Sequence, residues 1–255
     1  MKAEKVPLSV VIIAKNEEGT IAECLESVAW AGEVIVVDDQ SSDRTADIAR
    51  EHGARVIQQK MEIEGKHRNE AYALASHGWV LSLDADERVS PELKDEIVSM
   101  LRDNTPFSGF SIPLRNFIGK RWVRYGGWYP AAKLRLFRKE KFRYEEVGVH
   151  PRAFLDGKES DLKGDIVHQG YPDFAHFLTS LNRQTSLEAE KWLQEKRSMG
   201  LFLCLYKACD RFFRAFFLKQ GFRDGFLGFM VAYYASLYQI MSYAKYWELK
   251  EKENR

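Results

Sequence analysis

The chain has 255 residues, of which 45% are apolar and 13% are aromatic, with 38 Lys and Arg against 37 Asp and Glu. This size suits one large domain, or one domain with an appendage, and the apolar fraction excludes a wholly disordered chain. The near-neutral charge argues against a general nucleic-acid-binding protein, which usually carries a basic excess, so we expect no nucleic acid partner.

The cysteines and the N-terminus favour a cytoplasmic protein. Cys24, Cys204 and Cys209 lack the spacing of a zinc site or a disulfide framework, and we expect reduced thiols. The first apolar run, Leu8–Ala14, is too short for the core of a signal peptide. We therefore expect folding to begin at this run, as a first strand.

The first hundred residues alternate strand and helix patterns. Apolar runs predict strands at Leu8–Ala14, Glu33–Val37, Arg55–Ile57 and Trp79–Leu83. Helical patterns follow at Glu18–Trp30, 41–53 and His67–Ser76, and Ser90-Pro91 provides the cap and first residue of another helix. This alternation predicts an α/β fold with a mostly parallel, doubly wound sheet and right-handed crossovers.

Polar clusters follow three of these four strands: Lys15-Asn16-Glu17, Asp38-Asp39 and Asp84-Ala85-Asp86. Ligands of such sheets bind beyond the carboxyl ends of the strands, near the point where the strand order reverses. We therefore expect the three clusters to converge on one site.

Asp84-Ala85-Asp86 carries the clearest chemical signal. Side chains two residues apart at a strand end point to the same side, so the two carboxylates could share one divalent cation. The alternative is a solvated turn that contains Asp86 or Glu87 before the helix at Ser90.

No glycine-rich phosphate loop follows the first strand, which disfavours dinucleotide binding and P-loop chemistry. Asn16 and Glu17 instead offer hydrogen bonds that suit a base or a ribose, although they could also form a helix-capping turn. The negative charge of a bound nucleotide diphosphate would have to be neutralised by the cation and by nearby basic side chains such as Lys66 and Arg68.

The pattern changes after residue 106. Short strands and loops predict a smaller mixed-sheet half, and 173–198 is helical again, with Phe174, Phe177, Leu178 and Leu181 on one face. We divide the chain into a domain of residues 1–172, with a nucleotide-sugar half (1–104) and an acceptor half (105–172), and a helical extension of residues 173–255.

Four stretches of the chain resemble the family 2 inverting glycosyltransferases of the GT-A fold, which has a Rossmann-like, mostly parallel sheet. They match the family in order and spacing, and they are SVVIIAKNEE, VIVVDDQSSDRTADIA, GKHRNEA and WVLSLDADERV. The later stretches GGWYPAAKLRLFR, VGVHP, IVHQGY and NRQTSLEAEKW are similar to bacterial lipopolysaccharide core glucosyltransferases that modify inner-core heptose. The resemblance implies transfer from a nucleotide sugar, with UDP-glucose expected, to a lipopolysaccharide-core or lipid-linked saccharide.

The resemblance also implies roles for individual residues. The nucleoside pocket would be lined by Ile13, Ala14, Asn16, Glu17 and Asp39, with Asp39 facing the base. Arg68 would lie near the base or the phosphates, Asp84 near the ribose or the outer shell of the metal, and Ala85 at the donor. Asp86 would ligate Mg²⁺ or Mn²⁺, which would neutralise the charge that builds up on the leaving diphosphate.

An inverting transfer needs a general base for the acceptor hydroxyl. Glu145-Glu146 matches the family's Glu-Asp pair, and Glu146 aligns with its second position; a solvated acidic turn is the alternative. His150 and His168 could each complete the metal coordination or hold a phosphate, or form only structural hydrogen bonds. Pro151 replaces the Glu that related transferases often have after the first histidine.

The acceptor would meet the loop GGWYP and the strand after it. Trp128 and Tyr129 could stack on a sugar, or belong to the core beside a glycine turn. Arg135 and Arg138 could bind acceptor phosphates, or simply alternate outward along a strand.

The C-terminal part is basic and aromatic. Residues 197–255 hold ten Lys and Arg and five Asp and Glu, a charge of +5, which leaves −4 for residues 1–196. Lys207, Arg211 and Arg214 form one stripe among aromatic residues, the form of a helix that lies on an anionic membrane surface. We therefore expect peripheral attachment at the cytoplasmic face of the inner membrane.

Gly225–Ala244 lacks charges and is long enough to span a bilayer, but its four tyrosines disfavour that interpretation. The alternative is that the C-terminal helices pack on the catalytic domain or on a second copy of the chain.

Two other functions use the same features. A phosphohydrolase of the haloacid-dehalogenase type also has an Asp-x-Asp at a strand end, although normally after the first strand. A non-catalytic membrane adaptor could retain the fold without the chemistry.

Overall fold

The structure is a computed structural model that describes residues 5–103, 105–147 and 151–253. The chain divides into two compact units. The first unit comprises the chain up to Leu114 together with Ala132–His168, and the second comprises Arg115–Ala131 together with the chain from Gln169 onward. The structural boundary after His168 lies close to the expected one after residue 172, but the second unit also takes Arg115–Ala131 from the stretch assigned to the acceptor half.

The first unit is built on a seven-stranded sheet. Its strands are β1 (Val6–Ala14), β2 (Ala31–Asp38), β3 (Arg55–Gln58), β4 (Trp79–Asp84), β6 (Gly109–Ile112), β9 (Lys133–Arg138) and β12 (Glu159–Asp161), in the order β12-β6-β9-β4-β1-β2-β3. β1 to β4 run parallel, while β9 is antiparallel to both β4 and β6. The predicted α/β fold with a mostly parallel sheet is confirmed.

Four helices follow the parallel strands: α1 (Ile21–Ser27), α2 (Thr45–Glu51), α3 (Glu64–Ala73) and α4 (Pro91–Arg102). The Ser90 hydroxyl accepts a hydrogen bond from the Leu93 N–H at 3.2 Å, which confirms the predicted cap of α4. α1 is shorter than expected because residues up to Thr20 form a loop. α3 begins three residues before the predicted start.

Helices cover both faces of the sheet, as its apolar strands require. On one face, Leu8 and Val10 of β1 belong to a core with Ile21 of α1 and Leu93 of α4. On the other face, Val11, Ile35 and Val37 pack with Ala71 and Tyr72 of α3. Burial on both faces fixes the strands and therefore the positions of the polar residues that follow them.

Two smaller pairings complete the first unit. β5 (Glu87–Val89) pairs antiparallel with the first half of β13 (Ile166–Tyr171), with His168 opposite Glu87. β10 (Phe142–Tyr144) pairs antiparallel with β11 (Ala153–Leu155).

The second unit is mainly helical. It contains the hairpin of β7 (Leu114–Ile118) and β8 (Arg121–Trp122), then α5 (Phe174–Gln194), α6 (Leu201–Phe213) with a π-helical turn at Arg214–Leu218, and α7 (Gly225–Glu253). α7 packs along α5 and α6. The predicted C-terminal helical extension is confirmed. In the described part of the chain, none of the helices combines the length and the apolarity needed to cross a membrane.

Candidate active site

The strand register brings the predicted polar clusters to one edge of the sheet. Ala14 at the end of β1 pairs with Asp38 of β2, and Ile13 pairs with Asp84 of β4. The sheet continues from β1 to β2 and β3 on one side and to β4 on the other. This reversal of strand order is the place where doubly wound sheets bind ligands.

The loops after β1 and β2 are joined by hydrogen bonds. Asn16, in a left-handed conformation (φ 55°), accepts a bond from the Ser42 N–H at 2.9 Å. The Glu17 N–H donates to the Thr45 hydroxyl at 2.7 Å. Ile13 and Ala14 are buried directly beneath. Asn16 and Glu17 therefore belong to a two-loop surface rather than only to a turn that caps α1.

Asp39 is buried and ionised at the same edge. It accepts hydrogen bonds from the Lys15 ammonium and the Met61 N–H, both at 2.8 Å. Burial raises the pKa of the Asp39 carboxyl, but the bonds from Lys15 and Met61 outweigh it, so the pKa lies below its ordinary value. The Asp39 carboxylate is thus fixed as an anion at this edge of the sheet.

A cleft of about 240 Å³ lies along α3 and includes Lys66 and His67 in its lining. Lys66 is exposed, with its ammonium 3.9 Å from the Glu70 carboxylate. His67 is buried, and neither ring nitrogen has a hydrogen-bond partner among the described residues. Burial lowers the pKa of His67, which leaves a neutral imidazole with an open donor and acceptor. The sequence analysis missed this histidine because its burial follows from the packing of α3.

Asp84 is held by two arginines. Arg68 of α3 donates to one carboxylate oxygen at 3.1 Å, and Arg135 of β9 donates to the other at 2.8 Å. Burial raises the pKa of Asp84, but the charges of Arg135 and Arg68 outweigh it and hold the pKa far below its ordinary value. Asp84 is therefore a fixed anion.

Arg135 also contacts Glu87 at 2.7 Å, and both side chains are almost completely buried. Burial raises the pKa of Glu87 above its ordinary value, although Arg135 opposes it. The solvated turn considered for Glu87 is wrong, because β5 begins at this residue and pairs with β13. Because Arg135 is buried and paired with Asp84 and Glu87, no structural observation supports its predicted contact with an acceptor.

Asp86 lies beside His168, at 3.1 Å between Oδ2 and Nε2. The pairing of β5 with β13 brings the two together across the turn at Ala85-Asp86. Burial lowers the pKa of His168, but the hydrogen bond and charge of Asp86 outweigh it, so the pKa is raised. Ala85 is buried in the core.

Asp86 and His168 are the residues that could hold Mn²⁺ or Mg²⁺ at this edge, since a carboxylate and an imidazole are ligand types that such a cation accepts. Within the described ranges, no group of three or more acidic, His or Cys side chains converges on one point. His150, the predicted imidazole ligand, lies outside the described residues. The two carboxylates expected to share a cation have different partners in the structure: Asp84 binds Arg68 and Arg135, and Asp86 lies beside His168.

The predicted base lies near α3. The Asn69 side-chain amide donates to the carbonyl of Tyr144 at 3.0 Å, and the Gly65 backbone N–H donates to the carbonyl of Val147 at 3.2 Å. Arg68, which binds Asp84, lies 6.0 Å from the Tyr144 ring. Glu145 and Glu146 therefore lie on a segment anchored to the helix that reaches Asp84, and Glu146 is exposed.

Trp128 and Tyr129 belong to the second unit. The Trp128 ring lies 5.8 Å from Phe177 and 6.0 Å from Tyr171, while Tyr129 packs edge-on against Trp122 at 5.2 Å. Both residues are only partly buried. Trp128 thus lines a pocket, and Tyr129 is a packing residue of the β7–β8 hairpin.

The first unit thus combines four features. They are the two joined loops after β1 and β2, the arginine-bound carboxylates of Asp84 and Glu87, the Asp86–His168 pair and the exposed carboxylate of Glu146. The profile of the family described as "Glycosyl transferase family 2" matches residues 9–154, which contain this whole constellation except His168. The chain belongs to glycosyltransferase family 2. This membership excludes the phosphohydrolase interpretation, in agreement with the position of Asp84 after β4 rather than after β1.

Relatives of this glycosyltransferase match it over nearly its full length. An uncharacterized glycosyltransferase of Rickettsia typhi is 28% identical and covers 96% of this chain and 88% of its own. The lipopolysaccharide core biosynthesis glycosyltransferase LpsC of Rhizobium meliloti is 24% identical and covers 98% of this chain and 96% of its own.

Solved structures resemble the glycosyltransferase more distantly. S. aureus TarS is 18% identical, with a TM-score of 0.47 over 70% of this chain and 64% of its own. Mycobacterium tuberculosis glucosyl-3-phosphoglycerate synthase, in complex with phosphoglyceric acid, is 21% identical, with a TM-score of 0.47 over 67% of this chain and 74% of its own.

Proposed function

We propose that this glycosyltransferase transfers a hexose, with glucose the expected sugar, from a UDP-sugar to a lipopolysaccharide-core or lipid-linked saccharide with inversion. The single observation that carries the proposal is the Asp86–His168 pair, set at the sheet edge where Ile13, Ala14 and Asp84 meet. The similarity to LpsC, named for lipopolysaccharide core biosynthesis, favours that class of acceptor.

The donor nucleotide would bind to the two joined loops and the cleft along α3. Asp39 would accept a hydrogen bond from the base, and Asn16 and Glu17 would contact the nucleoside. Lys66 is an exposed cation available to a phosphate. Arg68 is largely committed to Asp84 and Glu64, so its role would be to orient Asp84.

Asp86 and His168 would hold Mg²⁺ or Mn²⁺, with His150 as a further predicted ligand. When bound, such a cation stabilises the negative charge that develops on a leaving diphosphate. Asp84, fixed by its arginines, would keep the β4 end rigid beside this site. The acceptor hydroxyl would lose its proton to Glu146, or to Glu145, as the anomeric carbon is attacked from the face opposite the diphosphate.

The test of this proposal is Asp86→Asn. We expect release of UDP from UDP-glucose in the presence of Mn²⁺ to fall at least 100-fold, because the variant removes the carboxylate that contacts His168. Asp95→Asn on the exposed side of α4 makes the same charge change and should retain full activity. Full activity of Asp86→Asn, or of the wild type with excess EDTA, would contradict the metal assignment.

The proposed location, the cytoplasmic face of the inner membrane, rests on the second unit. On α6, Phe202, Tyr206 and Phe213 are 89%, 69% and 52% exposed. Their spacing of four and seven residues places them on one helix face, opposite the buried Cys204 and Ala208. We call these three residues the aromatic stripe. A monomeric soluble protein rarely exposes so many large apolar side chains together.

Basic residues accompany the aromatic stripe. Apart from Arg211, which lies on the opposite face of α6, the chain between Met199 and Gly225 contains four basic residues, Lys207, Arg214, Lys219 and Arg223, and two acidic residues, Asp210 and Asp224. Aromatic residues that enter the interface and bases that meet lipid headgroups are the features of a helix bound to an anionic membrane.

Sedimentation with vesicles tests the location. We expect the wild type to bind phosphatidylglycerol vesicles and a Phe202→Ser/Phe213→Ser variant to lose at least fivefold of the bound fraction. Leu178→Ser, which changes an exposed apolar residue of α5, should bind like the wild type. If the wild type ignored vesicles and formed a dimer that the double variant dissociates, the aromatic stripe would instead be an interface between two copies.

A further inference from the structure

We infer that the second unit contains a binding pocket for a negatively charged sugar ring. The inference rests on the proposed function, because it specifies a chemical class for part of the acceptor. The pocket has a volume of about 200 Å³. All of its lining residues belong to the second unit, and those that the argument uses are Trp128, Tyr171, Phe177, Gln184, Arg211 and Tyr238.

One wall of the pocket is aromatic. Trp128, Tyr171 and Phe177 contact one another, with ring centroids 4.6 to 6.0 Å apart. Trp128 and Tyr171 remain only partly buried, so ring surface faces the pocket. Exposed faces of Trp and Tyr offer the flat apolar surface on which the C–H groups of a pyranose can lie, and their polar atoms can bond to its hydroxyls.

The loop that carries Trp128 is fixed by the fold. Gly126 and Gly127 both have positive φ (69° and 86°), a conformation that favours glycine. The Gly126 N–H donates to the carbonyl of Lys219 at 2.9 Å, and the Asn116 amide donates to the carbonyl of Trp128 at 2.8 Å. The indole is therefore positioned before any ligand binds, which lowers the entropy lost on binding.

The other wall is polar and positively charged. The Arg211 guanidinium lies 5.4 Å from the ring centroid of Tyr238, and the Gln184 amide also lines the pocket. No ion pair ties Arg211 to a carboxylate in the part of the chain that the structure describes. On α6, Arg211 follows Cys204 by seven residues and Ala208 by three, so it lies on the helix face of these two buried residues and opposite the aromatic stripe, although its own side chain is exposed. It is thus placed for the pocket rather than for the membrane.

Size and charge together define the occupant. A cavity of about 150 Å³ holds a benzene molecule, so this pocket admits one substituted six-membered ring. An unpaired guanidinium favours an anionic substituent, because it forms paired hydrogen bonds with a phosphate or a carboxylate. We therefore assign the pocket to a pyranose that carries one of these groups.

Binding can be measured without catalysis, in ¹⁵N–¹H spectra of the full chain. Trp128→Phe identifies the indole signal of Trp128, and glucose 6-phosphate, glucuronate, glucose and inorganic phosphate are the probes. We expect one or both charged sugars to move this signal to saturation, and glucose to need at least a tenfold higher concentration. Phosphate alone should leave it unchanged. The two charged sugars distinguish phosphate from carboxylate as the preferred group.

The decisive variant is Arg211→Gln, with Arg183→Gln as the matched control. Both residues are exposed bases of the second unit, but Arg183 does not line the pocket. Arg211→Gln should raise the Kd of the charged sugar at least tenfold, while Arg183→Gln should change it less than twofold. If Arg211→Gln lowers the unfolding temperature, Gln184→Leu provides a second variant with the same expectation.

Several results would overturn the assignment: no saturable shift with either charged sugar, equal affinity for glucose, or an unchanged Kd in Arg211→Gln. Failure of the proposed function is separable, because Asp86→Asn should still bind the charged sugar at Trp128. A variant that loses enzymatic activity but keeps the ligand-induced shift at Trp128 has a defect in the first unit. A variant that loses only this shift has a defect in the pocket.

Discussion

Arg135 illustrates how a single buried charge can organise the site. It lies in the strand KLRLFR, where alternation alone cannot tell an outward arginine from an inward one. In the structure it binds Asp84 and Glu87 and is 4% exposed. Removing Arg135 would leave Glu87 without its arginine and Asp84 with Arg68 alone.

We predict that Arg135→Met lowers the free energy of unfolding by roughly 3–5 kcal/mol near neutral pH, because uncompensated charges remain buried. Without Arg135, burial raises the folded-state pKa of Glu87 further above the unfolded value, while Asp84 keeps its bond to Arg68. A raised pKa stabilises the fold at low pH, and this stabilisation is lost as the pH rises. Urea unfolding should therefore show a larger loss at about pH 8 than at about pH 5.

Arg138→Met, on the same strand, is the control for this pH dependence. Arg138 donates to the carbonyls of Thr105 and Phe107 and stacks on Trp79, without a carboxylate partner in the described chain. Its loss of stability should be independent of pH over the same range. A loss in Arg135→Met that is equal at both pH values would contradict the assignment of the cluster.

The sequence predicted the acidic residues of the site but not how their charges are shared. Asp84 and Asp86 could be found because they follow a buried strand. The burial of Glu87 and the contact of Asp86 with His168 depend on the pairing of β5 with β13, about eighty residues away. No local pattern carries that information, since a three-residue strand has no periodicity to detect.

At the level of elements, α3 determines where the predicted base lies. Gly65, in its first turn, is buried, and a Cβ atom there would lie 1.8 Å from the carbonyl oxygen of Glu145. Only glycine allows the segment of Glu145 and Glu146 to approach the helix this closely. The close approach connects the base to the helix that also carries Arg68.

We predict that Gly65→Ala displaces this segment and lowers the transferase rate on the order of 100-fold, the effect of a shift of about 1 Å in a catalytic group. Initial rates of UDP release would measure the effect. Gly78→Ala is the control, because nothing lies within 4 Å of its added Cβ atom. A rate like that of the wild type in Gly65→Ala would contradict the role of Glu145-Glu146.

Most elements of the first unit could be predicted because their patterns are local. The four parallel strands and the cap at Ser90 follow from burial periodicity and cap residues, as does the helix after Asp173 in the second unit. The antiparallel insertion of β9 between β4 and β6 could not be predicted, since it joins segments far apart in the sequence. The early start of α3 was missed because its first turn, Glu64 to Lys66, is polar.

At the level of the whole molecule, the two units carry different kinds of chemistry. The first unit contains the large sheet and most of the residues matched by the family profile, although the match also includes Arg115–Ala131 of the second unit. The second unit contains the aromatic stripe and the pocket of Trp128 and Arg211. The charge asymmetry of the sequence already distinguished a basic C-terminal region from the rest of the chain. Only the packing of α6 shows that Arg211 lies on a different face from the aromatic stripe.

The hydrogen bonds between the loops after β1 and β2 have a consequence for ligand exchange. Asn16, Glu17, Ser42 and Thr45 satisfy one another before a nucleotide arrives. The proposed donor nucleotide would meet loops whose backbone entropy was already lost during folding. Its residence time would then depend on the contacts that it makes and not on closure of these two loops, and the nucleotide product would leave without local unfolding.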